Sequence, residues 1–139
     1  MSDAPATTVT LTRRDLMQYV ATNGRGATIQ IGGEGNFSPV ELLLAAIGGC
    51  TAVDVDVMTS RRAEPEVFEV VSSGRKMTEG GNHMEDLTVT FRLRFAEDAD
   101  GDKARSRIEP AIKASHERDC TVSRTVELGT PIAFVVEEA

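Results

Sequence analysis

The chain has 139 residues, 40% apolar and 27% charged, enough for one domain that buries roughly two-thirds of its unfolded surface. Aromatic residues make up only 4%, so the core has to be aliphatic. A net charge of −7, an N-terminus (MSDAPATT) without a basic or apolar leader, and no run of about 18 apolar residues argue against nucleic acid or an anionic membrane as partner, against secretion and against a membrane span; the expected location is the cytoplasm.

Residues 1–6 are expected to be a flexible N-terminus of a single domain covering 1–139. Thr7–Thr12 alternates polar and apolar residues, as a half-buried strand does. Met17–Ala21 and Ala27–Ile31 have the same pattern and flank the turn Thr22-Asn23-Gly24-Arg25-Gly26. After a Gly-rich loop, Ser38, Pro39 and Glu41 form a helix start: a cap, a first-turn proline and an acid three residues after the cap. Leu43, Leu44, Ile47, Thr51, Val55 and Met58 make an apolar stripe, broadened by Leu42, Ala45, Ala46 and Val53, and Pro65 stops the helix. Val67–Ser73 and Leu87–Phe95 are strands joined through Glu79–Asn82. A second helix is expected over Asp102–Arg118, with Pro110 marking a kink or a late start. Thr121–Glu127 and Pro131–Glu137 are expected as two last strands around Leu128-Gly129-Thr130. Paired strands with two interposed helices give an α+β class with mostly antiparallel sheet.

The chain has two cysteines, Cys50 and Cys120. In a cytoplasmic protein a cysteine pair is more often redox-active or metal-binding than a structural disulfide. Free cysteine is also among the most buried residue types, so a packing role fits each thiol as well. His116 and Cys120, four residues apart, would give two zinc ligands with Cys50 or His83 as a third; the spacing matches no common finger or ribbon, and no metal is expected.

The segments SPVELLLAAIGGCTAVDV around Cys50 and SHERDCTVS around Cys120, followed by Pro131-Ile132, resemble the OsmC/Ohr family of thiol peroxidases, most closely its OsmC-like branch. The element order agrees from about Thr7 to Glu137. The resemblance implies an intertwined homodimer with the Cys50 helices at its centre. It implies a peroxidatic Cys50, a resolving Cys120, organic hydroperoxides as substrates and a dithiol reductant such as a lipoylated protein, with no cofactor. It also places Arg25, in the turn before the third strand, as the cation of the site. The branch that carries hydroperoxide activity has a glutamate directly after the helix-start proline. Here Val40 takes that place and Glu41 follows, rotated by about 100° around the helix. Glu41 is therefore at most a supporting residue. The alternative is a stress-associated protein of the same fold that binds a small ligand with little turnover.

A peroxidatic cysteine has to react as a thiolate. Cys50 lies about three turns into its helix, beyond the reach of that helix's N-terminal dipole. A cation is then required, and Arg25, permanently charged and planar, is the candidate. Asp54, one turn beyond Cys50, would oppose ionisation, so it is expected to turn away or bond elsewhere. Gly48 and Gly49 each cost a helix about 1 kcal/mol, an offset expected from close approach of another helix or of substrate.

Overall fold

Strands β1 (Val9–Asp15), β2 (Gln18–Asn23) and β3 (Thr28–Ile31) open the chain, followed by α1 (Pro39–Ser60), β4 (Val67–Met77), β5 (His83–Arg94), α2 (Ala99–Ala114) and α3 (Thr121–Leu128). The computed structural model describes residues 4–139; the N-terminal segment expected to be flexible lies partly outside them. The class is α+β with antiparallel sheets, as expected. The chain divides into two compact units, one ending at Leu43 and one comprising Leu44–Ala139.

In the first unit, β1, β2 and β3 form an antiparallel sheet in that order. Register is set by pairs such as Leu11↔Ala21 and Ala21↔Ile29. Asn23 closes the β2–β3 turn, its Oδ1 accepting the backbone N–H of Arg25 and of Ala27, both at 2.9 Å. The expected cap of α1 is present in both directions: Ser38 N donates to Glu41 Oε1 at 2.8 Å, and Glu41 N donates to Ser38 Oγ at 3.1 Å.

In the second unit, β4 and β5 pair antiparallel, with Glu69 opposite Arg92 and an ion pair of 2.9 Å between them. Burial alternates along the second half of β5: Val89, Phe91 and Leu93 are half-buried and Phe95, just after it, is buried, while Thr88, Thr90, Arg92 and Arg94 are exposed; Leu87 is exposed as well. From α1, Ile47, Thr51, Val55 and Thr59 point into the core. Gly48 lets β4 come close, because a Cβ there would stand 2.1 Å from Ser72 Oγ. The approaching element is thus a strand rather than the helix or substrate expected. A Cβ at Gly49 would meet nothing within 4 Å in this chain.

The C-terminal third departs from the sequence expectations. Helix α2 begins at Ala99, earlier than Asp102, because Asp98 caps it by accepting the Gly101 N–H at 2.7 Å. Pro110 therefore sits inside the helix rather than near its start. The α-helix ends at Ala114, and Ser115–Asp119 form a π-helical turn closed by Cys120 N donating to Ser115 O at 2.8 Å. Thr121–Glu127, expected as a strand, lies within helix α3 (Thr121–Leu128): Cys120 caps its start, and Gly129 in the left-handed region (φ 63°) ends it. Pro131–Glu137, also expected as a strand, is neither helix nor strand, and Phe134 is 89% exposed. A strand needs a neighbour to bond, and among the described residues no strand pairs with this segment.

The expectation that no membrane-length apolar stretch exists is corrected as well, since α1 has 22 residues and a mean hydropathy of 1.6 over its best window. Core helices share that property, and one side of α1 packs within its unit through Gly48, Val55 and Thr59.

Gly101→Ala would place a Cβ 1.8 Å from the backbone oxygen of Ala96. Overpacking of this kind costs roughly 1–3 kcal/mol, and the clash is with backbone that cannot swing aside. The expected outcome is a lower urea midpoint at unchanged slope; an unchanged or raised midpoint would contradict the packing of the first turn of α2.

Candidate functional site

Two hydrogen-bonding residues fix the second unit's polar centre. Asp54 on α1 accepts a hydrogen bond of 2.6 Å from the hydroxyl of Ser115, the fully buried first residue of the π-helical turn. Asp54 is thus bonded elsewhere, as the sequence analysis expected. The bond ties the turn to α1 one helical turn beyond Cys50. The wide turn then ends at Cys120, which is set near Cys50, close enough for each thiol to influence the other's ionisation. Both are free thiols; Cys50 is half-buried and Cys120 is fully buried.

The first turn of α3 lies against both sulfurs. Cys120 Sγ is the N-cap acceptor of α3, taking the Ser123 N–H at 3.4 Å, and it stands 3.2 Å from Ser123 Oγ. The Thr51 hydroxyl also bonds to it. Cys50 receives a backbone hydrogen bond from Val122. The N-terminus of α1 is too distant to stabilise a Cys50 thiolate, but a second helix start supplies amides at the sulfurs. Residues 121–127 have the composition of a strand, so this helix start was not expected. The available signals were the Val122–Val126 spacing and the Gly129 stop.

These partners divide the two thiols electrostatically. Burial pushes the Cys50 thiol up, donation to Cys120 pushes it further, the Val122 amide opposes this, and charge on Cys120 and Asp54 adds to the rise. Burial is also the largest single influence on Cys120 and pushes it up. Hydrogen bonds from Cys50, from the Ser123 hydroxyl and N–H, and from Thr51 outweigh it, so Cys120 ends below its ordinary value.

A cavity of about 270 Å³ has Thr51 of α1, next in sequence to Cys50, and Ser123 of α3 on its wall; neither cysteine lines it. Its apolar side comes from Ile47, Val89, Phe91 and Ile112, and its polar edge from His116 and Glu127, 3.7 Å apart. The other sequence candidates lie in the first unit. Arg25 sits in the β2–β3 turn, and Glu41 is engaged in the α1 cap, where the Ser38 backbone hydrogen bond holds its carboxyl below the usual range. Among the described residues no group of three or more His, Cys, Asp or Glu is placed to hold a metal ion.

A family described as OsmC-like protein matches residues 32–135, which include both cysteines. The chain belongs to the OsmC-like family. An uncharacterised protein of Mycobacterium tuberculosis is 27% identical over 127 residues, covering 89% of this chain and 91% of that one. Among solved structures, a hypothetical protein from Aquifex aeolicus has 25% identity and a TM-score of 0.72, with 91% of each chain covered. An OsmC-like protein of unknown function from Vibrio cholerae has 15% identity and a TM-score of 0.68, covering 89% of this chain and 95% of that one. The organic hydroperoxide resistance protein OhrB of Bacillus subtilis has 17% identity and a TM-score of 0.52, covering 86% and 90%; that likeness is one of fold.

Removing the Ser115 hydroxyl leaves the Asp54 carboxylate without its buried donor. Ser115→Ala is expected to lower stability by roughly 1–3 kcal/mol, read by urea unfolding of the reduced protein. A loss below about 0.5 kcal/mol would show that the bond does not hold the π-helical turn to α1.

Proposed function

We propose that this OsmC-like protein is a thiol-dependent peroxidase that reduces organic hydroperoxides to alcohols in the cytoplasm, as part of oxidative-stress defence. The observation that carries the reading is the Ser115–Asp54 bond, which ties the turn ending at Cys120 to α1 one helical turn beyond Cys50, with Cys50 half-buried and Cys120 fully buried. A half-buried sulfur can meet a peroxide, and a neighbouring buried thiol can close a disulfide before the first is over-oxidised. In this reading the Cys50 sulfur attacks the O–O bond and becomes a sulfenic acid, an alcohol leaves, and Cys120 condenses with the sulfenic acid. A dithiol reductant, such as a lipoylated protein, resets the disulfide. Arg25 is proposed as the cation that holds the peroxide oxygen, with Glu41 no more than supporting through the helix start. The apolar cavity beside Thr51 suits the carbon part of an organic hydroperoxide. A solved protein of this fold is named for organic hydroperoxide resistance, which agrees with the reading.

We further propose a homodimer as the working form. On α1, Val53 is 62% and Val57 49% exposed, and beyond α3 the alternating Ile132, Phe134 and Val136 are all largely exposed. A second copy would cover these faces and give the C-terminal segment a strand to pair with. The second functional reading is a small-ligand-binding protein with little turnover. It is favoured by the upward shift of Cys50 and by Val40 at the position where a glutamate was expected.

Purified protein with a dithiol reductant is expected to consume cumene hydroperoxide, and Cys50→Ser to lose that consumption to background. Intact-mass analysis after one equivalent of peroxide should show the loss of two hydrogens, mapped to a Cys50–Cys120 link. Unchanged consumption in Cys50→Ser would sink the peroxidase, and binding without consumption in the parent protein would select the second reading. Sedimentation at micromolar concentration is expected to give twice the chain mass of 14.9 kDa; a single-chain mass would overturn the dimer.

A further inference from the structure

The start of α3 carries a further inference, which rests on the peroxidase reading and concerns the residue that holds Cys120. Cys120 is the N-cap of α3, where its extended backbone (φ −80°, ψ 100°) turns the sulfur back onto the helix start. At such a position a side-chain acceptor takes the N–H of the third helical residue, here Ser123, at 3.4 Å. In a reciprocal cap the third residue's side chain then accepts the N–H of the cap residue. That donor is already engaged, because Cys120 N donates to Ser115 O at 2.8 Å. The Ser123 hydroxyl takes the thiol instead: the Cys120 S–H donates to Ser123 Oγ at 3.2 Å. One serine thus meets the sulfur with both its main chain and its side chain.

Capping alone does not account for this pairing. Sulfur is a weak acceptor and a thiol a weak donor, so serine or aspartate at position 120 would cap the helix better. The sulfur gains more than the helix does. A cysteine side chain has a few staggered positions and an S–H free to rotate; two bonds to one neighbour fix both. Cys120 is fully buried, so water does not compete for either bond. Ser123 is half-buried and stands on the wall of the cavity, which Cys120 does not reach.

We propose that Ser123 is a positioning residue for disulfide closure: its N–H and hydroxyl hold the Cys120 sulfur in one orientation, so that it meets the Cys50 sulfenic acid before a second peroxide does. In that step the Cys120 sulfur bonds to the Cys50 sulfur and the Cys50 S–O bond breaks. The hydroxyl leaves as water with the proton that Cys120 gives up. The Cys120 sulfur is oxidised by the sulfenic sulfur, so no further oxidant enters. The competing step adds a second peroxide oxygen to Cys50 and gives a sulfinic acid. Which step wins depends on how much of the time the buried sulfur is oriented to react.

The test compares the full-length reduced protein with Ser123→Ala, which loses the hydroxyl and keeps the N–H, and with Ser123→Thr, which restores a hydroxyl. Rapid mixing with cumene hydroperoxide, followed by intact-mass analysis, tracks the Cys50 sulfenic acid, the disulfide and the sulfinic acid. Disulfide closure in Ser123→Ala is expected to slow by about fivefold or more, the factor that one ordinary hydrogen bond carries. The share of sulfinic acid at high peroxide should rise to match, while sulfenic acid appears at Cys50 at the parent rate. Ser123→Thr should recover closure. Closure at the parent rate in Ser123→Ala would overturn the inference. So would an equal slowing of sulfenic acid formation, which marks a general loss of structure. A second measurement needs neither turnover nor a change at position 123. In Cys50→Ala one thiol remains, and its S–H stretching band is expected at the lowered frequency of a bonded thiol; the frequency of a free thiol would overturn the inference. If the parent gives no sulfenic acid, the peroxidase reading fails, and diamide, which links thiol pairs without peroxide, takes over the test of Ser123. A slower Cys50–Cys120 link in Ser123→Ala then upholds the positioning role. A link that forms as fast as in the parent, or in neither protein, overturns it.

Discussion

Asp54 and Ser115 are 61 positions apart in sequence, and their hydrogen bond joins α1 to the π-helical turn. Three consequences depend on it. The carboxylate one turn beyond a reactive thiol is engaged, the wide turn is held against α1, and the residue ending that turn, Cys120, is set beside Cys50. A π-helical turn takes one residue more than an α-helical turn and leaves the chain at a different angle. That change of direction lets α3 begin at the sulfurs instead of continuing the line of α2.

The site separates the properties that a reactive cysteine usually combines. Cys50 is the more exposed of the two, and Cys120 has the Ser123 amide at its sulfur. Burial alone would keep both protonated. The amides and hydroxyls of Thr51, Val122 and Ser123 counter that, without a charged residue of the same unit having to enter a poorly hydrated pocket.

A second tension concerns α1. Nearly every side of its first half is apolar, but the chain buries only the Ile47, Thr51, Val55 and Thr59 side. Gly48 serves the buried side by admitting Ser72, whereas Gly49 faces open space and Val53 is exposed. Sequence patterning can show that a helix wants more than one apolar neighbour, but not which molecule provides the second.

The amino-acid sequence by itself determined the α+β class, the three N-terminal strands, the β4–β5 pair and the start of α1. These depend on local signals: period-two alternation, turn residues and the reciprocal Ser38–Glu41 cap. It also singled out Cys50 and Cys120 and anticipated that Asp54 would be bonded elsewhere. Thr121–Leu128 was misjudged because Thr121, Val122, Thr125 and Val126 are β-branched and favour strands in isolation. Only the tertiary structure decided that this stretch is a helix and that the Ser123 amide in its first turn meets the Cys120 sulfur. The physical reason is that a short helix gains little from propensity. Its existence depends on the Cys120 cap and on packing, and its effect on the thiols depends on residues some 70 positions away in α1, which come into contact only when the chain has folded.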